Sequence, residues 1–156
     1  MSGVHLRDRS LSSYEFYHKA IQIRNTVNKL MCSRKLPKTY RLTNAVPTCQ
    51  IAREMVYEIT KASKFYPNTS LNCHERRRHL ALAMAACEQL KLEMQTLLDI
   101  EVPISIANMK QLVADCDFEI KLLQGAKNGV KLLGKESAES RREYLMQELE
   151  YLAVLQ

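Results

Sequence analysis

The chain has 156 residues, 46% of them apolar, with four glycines, four prolines, no tryptophan and a net charge of +6. That length suits one domain with a real core, and the lack of any apolar run of about 18 residues excludes a membrane-spanning helix. Charge is unevenly divided: residues 1–80 carry 15 Lys/Arg against 5 Asp/Glu, and residues 81–156 carry 8 against 12, so the basic half points to a polyanionic partner.

Leu, Ala, Glu, Lys and Met lose little side-chain freedom in a helix, and their abundance leans the chain toward helix before any pattern is read. The first periodic segment runs from about Ser12 to Arg34. Phe16, Ala20, Ile23, Val27 and Leu30 fall at alternating spacings of four and three, a helical seam. Pro37 disfavours helix at the residue before it and ends the segment. The second runs from about Asn44 to Tyr66, with Thr48, Ile51, Met55, Ile59 and Ala62 on one face. Asn44 as N-cap places Pro47 in the first turn, where its missing N–H costs nothing; a start near Tyr40 instead leaves Pro47 as a kink.

In the third segment Asn72 and Glu75 have capping-box spacing, and Leu80, Met84, Cys87, Leu90, Met94 and Leu97 follow on one face. The fourth begins near Ser105 and carries Met109, Leu112, Cys116, Ile120, Leu123, Val130 and Leu133. Gly125 and Gly129 weaken its last turns by about 1 kcal/mol each. A polar linker from Gly134 to Glu139 leads to a short helix over about Ser140 to Leu155, striped by Leu145, Leu149 and Leu152 with Tyr144 and Tyr151 beside them. The expected fold is all-α: an antiparallel up-down four-helix bundle over residues 1–134, and a linker with an additional short C-terminal helix over 135–156. The apolar stripe of that last helix needs a partner, either its own bundle or a neighbouring chain, and Tyr144, Leu145, Leu149 and Leu152 are the candidate partner-binding residues.

Little in the chain suggests chemistry. The phosphate-loop, dinucleotide, HExxH and GxSxG signatures are absent, and no cofactor is implied. Five cysteines, Cys32, Cys49, Cys73, Cys87 and Cys116, are odd in number and widely spaced. They fit neither a disulfide framework nor a closed zinc site. Reduced thiols and an N-terminus with no apolar signal-like run place the protein in the cytoplasm. The four histidines form no metal pattern. Asp115 and Glu119, four apart on the fourth helix, read as a solvated acidic stripe or as partners for a basic helix in a neighbouring subunit.

The basic residues are more informative. Arg76, Arg77 and Arg78 read as sitting in the first turn of the third helix, fanned over about 200° of its circumference. They crowd the positive end of the helix dipole, an arrangement that suits a bound anion. Arg34, Lys35, Lys38 and Arg41 crowd the first connection, Lys61 and Lys64 end the second helix, and Arg53 lies about two turns earlier. Basic charge at both ends of the second helix fits a long polyanion better than a small phosphate. Few aromatics are spaced as stacking platforms, so backbone binding with weak sequence preference is expected.

Several runs resemble one superfamily of small helical proteins: Leu36-Pro-Lys-Thr-Tyr-Arg-Leu-Thr-Asn-Ala45, Ile51-Ala-Arg-Glu-Met55, and the long stretch Arg76-Arg-Arg-His-Leu-Ala-Leu-Ala-Met84 continuing through Glu88-Gln-Leu-Lys-Leu-Glu-Met94. One branch comprises four-helix bundles encoded in intervening sequences of bacterial large-subunit ribosomal RNA. The other, to which residues 15–133 are more similar, comprises the accessory variability determinant proteins of diversity-generating retroelements. The resemblance implies a homopentamer with a basic surface that associates with a reverse transcriptase, binds template RNA and DNA, and supports mutagenic cDNA synthesis. Arg53, Lys61, Lys64, Arg76, Arg77 and Arg78 would then be nucleic-acid contacts. The helix after Gly134 has no counterpart in that pattern. The alternatives are an intervening-sequence bundle without the polymerase role, and a protein–protein scaffold that uses the last helix.

Overall fold

A computed structural model describes residues 14–155. Its elements are α1 (Glu15–Met31), a π-helical turn (Arg41–Ala45), α2 (Val46–Lys64), α3 (Ser70–Asp99), α4 (Ile106–Asn128) and α5 (Ala138–Val154). Among the described residues there is no strand, and no helix is long and apolar enough to cross a membrane. The expected start of the first helix at Ser12, and the N-terminal residues before it, lie outside the described residues.

The first four helices enclose a core because each presents an apolar stripe at helical spacing. Packing runs α1 on α2, α2 on α3, α3 on α4 and α4 back on α1. Ile23 and Val27 from α1, Met55 and Ile59 from α2, Leu90, Met94 and Leu97 from α3, and Met109, Leu112 and Leu123 from α4 are fully enclosed. Cys87 and Cys116 lie in the same core as reduced thiols. Burial pushes the Cys116 thiol up to about 12 and the Cys87 thiol higher still, so both act as small apolar side chains.

The approach to α2 follows the second of the two routes open to Pro47. Asn44 is not an N-cap, because helical backbone already begins before it. Proline removes one hydrogen-bond donor and its ring crowds the carbonyl four residues earlier. The backbone relieves both by widening into the π turn over Arg41–Ala45, a local expansion of the kind found at functional sites. Thr48 Oγ1 donates to Asn44 O at 2.7 Å across this turn.

The fourth helix ends earlier than its apolar pattern implies. Gly129 is the C-cap, donating to Gly125 O, and the chain leaves helix there. Val130 is buried off the end of α4, whereas Leu133 is half exposed, so neither extends the α4 face. Gly134 takes φ +83°, a conformation that penalises any side chain. The chain then turns into α5, which has no buried residue and touches the rest of the molecule through α3.

Candidate nucleic-acid interface

The ten cations singled out from the sequence fall into two groups with different surroundings. The first surrounds the start of α2. Arg34 and Lys35 follow α1, Lys38 precedes the π turn, Arg41 opens it, and Arg53 lies on the second turn of α2; all five side chains are exposed. None of the five forms an ion pair with a described residue. Arg41 and Arg53 line one open groove of about 540 Å3 together with Cys32 and Cys49. Burial pushes the Cys49 thiol up and neighbouring Cys32 adds to this, while the Arg53 guanidinium pulls it back.

The second group, at the end of α2 and on α3, is largely engaged. Lys61 Nζ lies 2.6 Å from Glu58 Oε1, 3.9 Å from Glu54 and 4.9 Å from the centre of the Tyr57 ring. Its hydrogen bond to Glu58 raises the Lys61 pKa. Arg78 pairs with Glu75 at 3.2 Å. Arg76 donates to Phe65 O at 3.3 Å and Arg77 to Val130 O at 2.6 Å, so these two arginines tie the ends of α2 and α4 to α3. Lys64 is exposed at the end of α2.

Glu58 organises this second region. Its side chain is buried and accepts from Lys61 while His79 Nδ1 sits 2.5 Å from its other oxygen. Burial alone would push this carboxyl up, but the hydrogen bonds from Lys61 and His79 outweigh it and leave the pKa lowered. Phe65 stacks on the His79 ring at 5.5 Å. The network joins α2 to α3, and its cations are committed to that joint.

The anion site expected at the start of α3 is filled from within the chain. Thr69, not Asn72, is the N-cap, accepting from Asn72 N at 3.1 Å. Arg76, Arg77 and Arg78 therefore stand in the second and third turns, beyond the reach of the terminal dipole argument. The anion at this terminus is Glu136. Its carboxylate accepts from Ser70 N at 2.7 Å and Ser70 Oγ at 2.6 Å, and these bonds hold its pKa below the usual range. An acidic side chain supplied by the linker occupies the position where phosphate was expected.

That contact also tethers α5. Arg141 donates to Ser70 Oγ at 2.8 Å, and the Tyr144 ring lies 6.2 Å from the His74 ring. Tyr144 is thus part of the tether, with its hydroxyl 2.5 Å from Glu148 Oε1. Leu145, Leu149 and Leu152 remain 43%, 64% and 56% exposed, an apolar stripe with no cover among the described residues.

The acidic stripe expected on α4 does not exist as such. Asp115 pairs with Lys19 of α1 at 2.7 Å. Glu119, one turn further, is wholly buried with neither carboxylate oxygen hydrogen-bonded among the described residues. Burial pushes its pKa up to about 8, with the Lys19 ammonium opposing and Glu15 reinforcing the shift. The residue is therefore largely protonated at neutral pH. Among the described residues no cluster of three or more His, Cys, Asp or Glu side chains is placed to hold a metal ion.

Sequence reasoning found both basic groups but missed the groove, the Glu58–His79 joint and the Glu136 cap. The last joins residues 66 apart, and no local spacing announces it. Searches against protein-family models and curated proteins found no match to the chain.

Proposed function

We propose that the protein binds nucleic acid through its sugar–phosphate backbone, as a non-catalytic accessory to a polymerase. The observation that carries this reading is the set of five exposed cations at the start of α2, Arg34, Lys35, Lys38, Arg41 and Arg53, without an acidic partner among the described residues. Guanidinium and ammonium groups left open to solvent release condensed counterions when they meet a phosphodiester chain, and that release drives binding. The second basic group contributes less, because Lys61, Arg76, Arg77 and Arg78 are held by protein acceptors.

In this reading the first four helices form an antiparallel up-down bundle. Successive cross-helix contacts support that direction: Met55 to Cys87, Glu58 to His79 and Phe65 to Arg76 run oppositely along α2 and α3. The resemblance carried by the sequence runs quoted above supports a reverse transcriptase as the partner polymerase, template RNA and possibly DNA as the polyanion, a homopentamer as the assembly and the cytoplasm as the location. The open leucine stripe of α5 is the surface offered to a protein partner.

The test is binding of a structured RNA across a salt series. With five phosphate contacts the logarithm of the binding constant falls with the logarithm of salt at a slope of about −4 to −5 for a duplex. Absence of binding at low salt refutes the proposal. Binding that ignores salt removes the phosphate backbone as its target.

A further inference from the structure

The groove at the start of α2 combines features that backbone binding alone does not require. Its lining includes the apolar Met31, Ala45 and Val46 together with Arg41, Arg53 and Gln50. Its volume is about 540 Å3, large enough for a nucleobase and its sugar. The π turn puts Arg41 at this position, since it begins with that residue. A surface that only gathers phosphates needs cations in the open, as Arg34, Lys35 and Lys38 are. Two arginines flanking an apolar recess instead match a ligand with an anionic end and a flat, poorly hydrated face.

We infer that this groove takes one unpaired nucleotide of a bound strand, its base against Met31, Ala45 and Val46 and its phosphate between Arg41 and Arg53. The inference rests on the nucleic-acid reading above and adds to it a preference for single strands over duplexes. A paired base is held in its stack and cannot enter without the cost of unpairing, a few kcal/mol. Guanidinium planes stack on bases as well as pairing with phosphate, so a groove without tryptophan or tyrosine still offers a base a planar partner. Any base has such a face, and weak sequence preference follows.

Two thiols make the groove directly observable. Cys32 is exposed and Cys49 half-buried on its wall, whereas Cys73, Cys87 and Cys116 are buried elsewhere in the fold. Alkylation of the native protein by iodoacetamide, read by mass spectrometry of each cysteine peptide, reports whether the groove is filled. Three probes are compared: an oligothymidylate of about 12 nucleotides, within the usual site size of a single-strand binder, a blunt duplex of the same length, and inorganic polyphosphate. The oligothymidylate is expected to slow alkylation at Cys32 and Cys49 by the factor 1 + [L]/Kd, about fivefold at four times Kd. Duplex and polyphosphate, which meet Arg41 and Arg53 from outside the recess, are expected to slow alkylation at the exposed Cys32 at most and to leave the half-buried Cys49 unchanged even where anisotropy shows them bound. Val46→Trp, which fills the recess from a half-exposed position, is expected to abolish the single-strand preference and keep duplex binding. Equal protection by all three probes, or a bound strand with unprotected thiols, overturns the inference and leaves the backbone reading standing. Failure of every probe to bind removes both.

Discussion

Replacing Glu119 tests the account of the core most sharply. The side chain is fully buried, and neither oxygen is hydrogen-bonded among the described residues. Its carboxyl titrates near pH 8 rather than its ordinary 4.5. Between those values the folded protein holds a proton that the unfolded chain has released, so stability falls as pH rises. Each pH unit in the window removes roughly 1.4 kcal/mol. The loss is on the order of 3 kcal/mol by pH 7 and on the order of 5 above pH 8, set against a typical total of about 5–15. Glu119→Leu removes the proton and the desolvated charge while keeping an apolar body of similar size. Urea unfolding followed by circular dichroism at pH 5, 7 and 8.5 is the assay. The variant is expected to be at least as stable as the parent near pH 5, where the parent still buries an unpaired carboxylic acid, and to exceed it by several kcal/mol more at pH 8.5, with the difference growing through the window. Parallel stability curves for the two proteins across this range refute the reasoning, since they place the carboxylate in water.

Three further perturbations address the joints around the interface. His79→Ala takes one partner from the buried Glu58 carboxylate and is expected to cost about 1–2 kcal/mol in chemical unfolding; because the folded Glu58 pKa is lowered, the part of its stabilisation present above the unfolded value is lost as pH falls through the folded one. Glu136→Ala removes the acceptor at Ser70 and is expected to speed amide exchange in the first turn of α3 and throughout α5, leaving α2 protected; unchanged exchange in α5 contradicts its description as tethered by polar contacts. The pair Leu145→Asp and Leu149→Asp alters only exposed positions, so stability is expected to shift by less than about 0.5 kcal/mol per site, while binding of a partner polymerase in a pull-down with the purified proteins is lost.

The fold was readable wherever the apolar period ran undisturbed. Ile23 and Val27, Met55 and Ile59, and Leu90, Met94 and Leu97 sit in the core where their spacing put them. Boundaries were misread where several residues compete for one role. In Pro67-Asn-Thr-Ser-Leu-Asn, both Thr69 and Asn72 have capping chemistry, and the structure uses Thr69. That shift of three residues moved the arginine triplet out of the terminal turn and left the helix end to Glu136. Depth was also hidden. Asp115 and Glu119 share a face by spacing, yet one meets Lys19 at the rim and the other is sealed inside, because periodicity fixes direction and not distance from the axis. At the candidate site, the sequence announced charge in Arg34 to Arg41 but not the recess, which depends on the widened turn ahead of Pro47.

The most direct measurement is the salt dependence of RNA binding by Arg41→Glu/Arg53→Glu beside the parent protein. Both residues are exposed and lack ion pairs with described residues, so folding is expected to survive, as circular dichroism can verify. The double variant is predicted to bind far more weakly at low salt, with a slope shallower by about 2 for a duplex. A variant that binds with the parent's affinity and slope contradicts the claim that the start of α2 is where this protein meets nucleic acid.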